Sequence, residues 1–147
     1  MRWTRLPFGK YQGMTLPQVI AIDLDWFFHM QPKLYSALGF EARMLMRRLC
    51  SIKIPRHRRR RVIEYYHDGN EFAGFAVVKA EKPATVRGAH RLPYLDMSLA
   101  RGGHRYAKRE CRKAIRCLRI WYFGRRKRLT KRRIEAFFAD PKNFINP

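Results

Sequence analysis

From Tyr35 onward the apolar positions fall at Tyr35, Leu38, Ala42, Leu45 and Leu49. Steps of three and four place them on one face of a helix, which should stop before Pro55. Arg43, Arg47 and Arg48 lie off that face. A longer helix is expected over about residues 104–123. Its inward row is Ala107, Cys111, Ala114, Leu118 and Trp121, and its outward row is Arg105, Arg109, Arg112, Arg116 and Arg119. Gly124 suits its C-terminal end. Between the two helices, β-branched and aromatic residues flank Asp68-Gly69, which reads as a β-hairpin. Its second arm, near 72–79, is apolar on both faces and is expected to be a central strand. Thr130 caps a last short helix that reaches about Ala139.

The segments between these elements are punctuated by Pro and Gly. Residues 1–22 carry Pro7, Gly9, Gly13 and Pro17 with aromatics between them, which is turn chemistry around short extended pieces. Asp23 can cap a helix beginning at Leu24, and Asp25 adds negative charge to its first turn. That helix contains Trp26, Phe27 and Phe28 and meets Pro32. Residues 82–103 hold Pro83, Gly88, Pro93, Gly102 and Gly103 and read as an irregular loop with one short strand near 94–98. No internal repeat is present. The fold expected is α+β: a small single domain over 1–147, with a central β-hairpin or antiparallel sheet and basic amphipathic helices. Within it, 1–32 form an N-terminal cassette, 33–124 the helix, hairpin and long basic helix, and 125–147 a basic link and C-terminal helix.

Charge changes the picture most. Lys and Arg number 33 against 11 Asp and Glu, a formal net charge of +22. Such an excess repels itself in a compact fold, and a polyanionic partner relieves the repulsion. Apolar residues at 46% of the chain are enough for a core, so the charge does not imply wholesale disorder. No secretory leader or membrane-length apolar run is visible, and no lipidation motif. Cys50, Cys111 and Cys117 are an odd number with no metal-type spacing and read as buried thiols of a reducing compartment. The expected location is cytoplasmic, with nucleoid association as a variant.

The arginines at 105, 109, 112, 116 and 119 are the sharpest nucleic-acid feature. Like charges at i and i+4 destabilise an isolated helix, whereas a row of phosphates explains them. Arg101 and His104 lie at the expected helix start, where free N–H groups also favour phosphate. The run Arg56 to Arg61 contributes Arg58, Arg59, Arg60 and Arg61 as a phosphate-contacting arm, and Arg125, Arg126, Lys127 and Arg128 form a second basic segment. Lys10 is a further surface cation. Tyr65, Tyr66, Phe72 and Phe75 could stack on bases, but in a hairpin they fit the core better.

Little in the chain points to catalysis. Asp23 and Asp25 have the two-residue spacing of some metal-binding nuclease motifs, which need further carboxylates that this chain is short of. Helix capping explains both. Gly9-Lys10 lacks the surrounding pattern of a phosphate-binding P-loop. No catalytic residue, metal site or cofactor is expected.

The cassette PFGKYQGMTLPQV…DLDWFF resembles one found in exonuclease X-like C-terminal domains and in putative quorum-sensing-regulated virulence factors. The matching residues are Pro7, Phe8, Gly9, Lys10, Tyr11, Gly13, Thr15, Leu16, Asp23 and Trp26. The likeness covers about the first 30 residues. It implies a compact α+β module that accompanies nucleases and handles nucleic acid without being the nuclease. Leu24 stands where that family usually has Pro. The function expected from charge and resemblance together is non-enzymatic binding of nucleic acid, DNA or RNA, in a nucleoprotein complex with other subunits. Alternatives are an RNA- or ribosome-associated protein, or a regulator or inhibitor docking on a nucleic-acid-handling effector.

Overall fold

The computed structural model describes residues 1–55 and 60–147. Its helices are α1 (Leu16–Ile22), α2 (Leu24–Met30), α3 (Ser36–Leu49), α4 (Lys108–Leu118) and α5 (Lys131–Ala139). Its strands are β1 (Arg61–Asp68), β2 (Glu71–Lys79) and β3 (His90–Leu92), joined in one antiparallel sheet in the order β2-β1-β3. The class is α+β, as the hydrophobic pattern requires.

The opening segment keeps the turn between short extended pieces that its Pro and Gly residues suggest, with Arg5 and Thr15 in an antiparallel bridge, and departs from it only at 16–22, which are helical. A tight turn comes first, with Leu6 N–H donating to Met14 O at 2.8 Å. Gly9 (φ +77°) and Gly13 (φ +86°) supply its left-handed positions. Helix α1 follows at once, because Thr15-Leu16-Pro17-Gln18 is a helix-start sequence. Thr15 is the N-cap, Pro17 stands in the first turn, and Gln18 Oε1 accepts the Thr15 N–H at 3.5 Å. Asp23 alone separates α1 from α2. Its N–H donates to Val19 O, and its Oδ1 accepts the Trp26 N–H at 3.1 Å, capping α2 as the sequence suggests.

Leu38, Ala42, Leu45 and Leu49 are buried along α3. Tyr35 leaves that row, since it precedes the helix and is 80% exposed. Arg48 does the opposite and enters the core. Its guanidinium donates to Phe138 O and lies 5.3 Å over the Phe144 ring, which gives the buried cation a carbonyl and an aromatic face.

The hairpin turns after Asp68, and β1, not β2, is the central strand. A bulge accounts for the misleading pattern on β2. The register slips between Tyr66 and His67, so the buried positions change phase from Phe72 and Gly74 to Phe75 and Val77. Tyr65, Phe72 and Phe75 are buried, as core residues should be. The third strand lies at 90–92, ahead of the position expected. Leu95 instead bridges to Ile52, and Met97–Ala100 is a 3-10 turn whose first N–H groups are met by Asp96.

Helix α4 joins the two halves, packing on β2 and on α2, while α1 packs on α2 and α5. Helix α5 runs over the residues expected, with Thr130 Oγ1 accepting the Arg133 N–H at 3.2 Å. Phe144 then stacks on Phe138, 5.8 Å between centroids, and closes the core. Among the described residues no helix is long and apolar enough to cross a membrane.

Candidate nucleic-acid interface

Helix α4 begins at Lys108, not near His104. Arg101 to His104 form a turn, with His104 N–H donating to Arg101 O at 3.1 Å. Ala107 is the N-cap, and its N–H donates to Asp25 Oδ1 at 3.0 Å. Asp25 is buried on α2, so the chain's own carboxylate lies at the positive end of α4. This corrects the expectation of a phosphate at that end: the Arg101–His104 turn lies outside the helix, and an acid already caps it. It also takes Arg105 out of the helical row.

Asp25→Ala should therefore cost about 1–3 kcal/mol, because it leaves a buried N–H without an acceptor. Asp25→Asn keeps an acceptor oxygen and should recover most of the loss. Urea midpoints of the two variants check this. Equal losses would mean that the charge, not the hydrogen bond, holds the helix start.

The remainder of the row stands. Cys111, Ala114 and Leu118 are buried, and Arg109, Arg112 and Arg116 are exposed on the opposite face. After Leu118 the backbone widens into a π-helical turn, Arg119–Phe123, which keeps Arg119 exposed in line with the row. Gly124 (φ +96°) ends it, and Arg125, Arg126, Lys127 and Arg128 follow as an exposed link.

The structure brings the helix and the link together. Arg112, Arg116, Arg119 and Arg128 line one open groove of about 420 Å³. Its apolar wall is Ala21 and Ile22 from the end of α1, with Ile115 and Leu129. Ile22 is 58% exposed there. A smaller recess of about 40 Å³ shares Ala21, Ile22, Arg112 and Ile115 and carries the groove on to Lys108 and Asp23.

Other cations expected at the site lie apart from this groove or are engaged. Lys10 Nζ is 3.6 Å from Asp23 Oδ2, which also accepts the Tyr11 hydroxyl, although Lys10 itself is 59% exposed. Burial pushes the Asp23 carboxyl up, but the Tyr11 hydroxyl, the Trp26 N–H and Lys10 together hold it below the usual carboxylate range. Arg101 donates to Arg105 O and lies 5.6 Å over the Phe28 ring. Arg105 lies 5.5 Å over Tyr106, and His104 is exposed in the turn. Arg60 and Arg61 stand at the start of β1, where Arg61 pairs with Lys79. Arg58 and Arg59 lie outside the described residues.

The acids explain why the groove stays positive. Asp23, Asp25, Glu41, Glu64, Asp96 and Asp140 each accept a backbone N–H. Among the described residues the ion pairs are Lys10–Asp23, whose acid borders the recess at the groove's end, and Arg91–Glu64, and neither includes a groove arginine. Most of the few carboxylates are used as structural acceptors, leaving the groove arginines without an acidic partner among the described residues.

Reactive thiols are not part of this surface. Burial pushes Cys111 up to about 12, and burial raises Cys50 and Cys117 as well, so none is a thiolate at neutral pH.

Sequence reasoning missed Lys108, Ile22 and Leu129. Lys108 was readable, one turn before Arg112 on the same face. The α1 wall was not, because residues 1–22 read as turns around short extended pieces, with no helix among them. Comparison of the chain with protein-family models, with curated proteins and with solved structures finds no match.

Proposed function

We propose that the protein binds nucleic acid without catalysing a reaction, mainly through phosphate contacts along α4 and the 125–128 link. It acts as a small subunit of a larger nucleoprotein complex in the cytoplasm or nucleoid. One observation carries this reading: Arg112, Arg116, Arg119 and Arg128 converge on a single groove, and none of them is in an ion pair among the described residues. Guanidinium groups pair with phosphate oxygens in a fixed fork, which suits such a row better than self-repulsion on a free surface. Asp23 and Asp25, the carboxylates with nuclease-like spacing, are engaged in capping two helices, which favours binding over cleavage. The likeness of the N-terminal cassette to nuclease-associated modules points the same way.

The test is a titration of labelled DNA and RNA oligonucleotides at 50 mM salt, with polyglutamate as competitor. Binding at ~1 µM protein or below is expected, as for a multi-phosphate contact at low salt. Polyglutamate should displace neither nucleic acid efficiently. If polyglutamate competed as well as unlabelled oligonucleotide, the face would suit an acidic protein surface, and a regulator or inhibitor would be the better description.

A further inference from the structure

Just before α4, Tyr106 stands 63% exposed, a large aromatic ring in water. It is not alone. The His29 ring from α2 lies 5.4 Å from it, centroid to centroid, tilted by 38°. The Arg105 guanidinium lies 5.5 Å over the same ring. Arg101 holds the loop in place by donating to Arg105 O at 3.1 Å and resting over Phe28. On the other side, the Ala107 N–H is fixed by buried Asp25. Tyr106 thus sits between two anchored neighbours, and most of its surface still faces solvent.

An exposed aromatic among cations is the chemistry that receives an unpaired base. Lys108 follows two residues later and begins the row that passes through Arg112 and Arg116 to Arg119. Eleven residues separate Lys108 from Arg119, roughly 16 Å at the helical rise of ~1.5 Å per residue, about the length of five stacked nucleotides at ~3.4 Å each. The groove beside the row has an apolar wall of Ile22, Ile115 and Leu129. A duplex presents phosphates to its surroundings and keeps its bases stacked inside, so it leaves such a wall unused. A single strand can place bases against it.

We propose that Tyr106, with His29 beside it, is a base-stacking platform, and that the occupant of the basic face is a single strand whose phosphates follow α4 to Arg128. The proposal rests on the nucleic-acid reading above and adds the strandedness and the residue that grips a base. Tyr106 acts by contact with the ligand, and Arg105 and Arg101 position it.

The experiment compares the full chain with Tyr106→Ala and Tyr106→Phe on a labelled single-stranded 12-mer and on the duplex of the same sequence, as DNA and as RNA. The wild type should bind the single strand more tightly than the duplex. Tyr106→Ala should weaken single-strand binding by about 5- to 150-fold, the worth of one stacked base, and leave the salt slope unchanged. Tyr106→Phe keeps the ring and should bind as the wild type does. Unchanged thermal unfolding of both variants confirms an intact fold, as expected for so exposed a side chain. An unaltered affinity in Tyr106→Ala, or equal binding of duplex and single strand, overturns the platform. The basic-face reading survives that result if loss of the α4 arginines still abolishes binding. A wild-type protein that binds neither probe overturns both.

Discussion

Raising the salt from 50 to 200 mM is expected to weaken nucleic-acid binding by roughly 300- to 2000-fold. Lys108, Arg109, Arg112, Arg116, Arg119 and Arg128 are exposed along α4 and its groove. Each phosphate they neutralise releases counterions, and the slope of log K against log salt is about −0.7 per contact on single strands and −0.9 on duplexes. Six contacts therefore give a slope of about −4 to −5. Neutral hydrogen bonds and stacking contribute almost nothing to this slope, so it isolates the electrostatic part. A response ten times weaker over the same interval would place the affinity in base contacts or in a protein surface.

The largest stability effect is expected far from the groove. Arg91→Ala should lower folding stability by about 3 kcal/mol, the lower end for breaking a buried pair, because Arg91 keeps 22% of its side chain in water. Glu64 is fully buried on the central strand, and Arg91 faces it from β3 in register. Arg91 Nε and Nη2 donate to Glu64 Oε2 at 3.0 and 2.8 Å, and the Thr85 N–H donates to Oε1 at 2.9 Å. Burial pushes the Glu64 carboxyl up, but the Arg91 hydrogen bonds, the Thr85 N–H and the Arg91 charge hold it below the usual carboxylate range. A carboxyl lowered in the folded state adds stability above its unfolded pKa. That stability is lost as the pH falls through the folded value. In Arg91→Ala the carboxylate is left buried without its cation, and protonation relieves it. The gap between wild type and variant, read from urea midpoints, should thus be widest at neutral pH and narrow in acid. A gap that did not change with pH would mean that Arg91 acts by packing alone.

Much of the architecture was legible because local signals were strong. Leu38, Ala42, Leu45 and Leu49 gave α3 its inward face, Asp68-Gly69 gave the hairpin, and Thr130 gave the start of α5. The failures have common physical causes. Pro17 read as loop punctuation, yet Pro in a first turn starts a helix as readily as it breaks one. The bulge opposite Tyr66 disguised an edge strand as a central one. The start of α4 was invisible because Asp25, remote in sequence, decides it. For the candidate interface, the arginine period on α4 was plain in the sequence. Its union with Arg128 and the exposed Ile22 was not, since it depends on how α1 packs beside α4. Tyr106 carried no periodic signal at all.

The central claim is that the α4 arginines meet phosphates and nothing else. The direct measurement is the salt slope and melting temperature of the variant with Arg109, Arg112 and Arg116 all replaced by Gln. Gln matches Arg in helix propensity, and the change removes like-charge neighbours worth a few tenths of a kcal/mol per pair. The variant should therefore melt at the same temperature as the wild type or slightly above. Its binding should fall for every nucleic-acid sequence tested, and its log–log salt slope should shrink by about one unit per lost contact, two to three units in all. A variant that melts as the wild type and keeps both affinity and slope would contradict the account and move the interface away from α4.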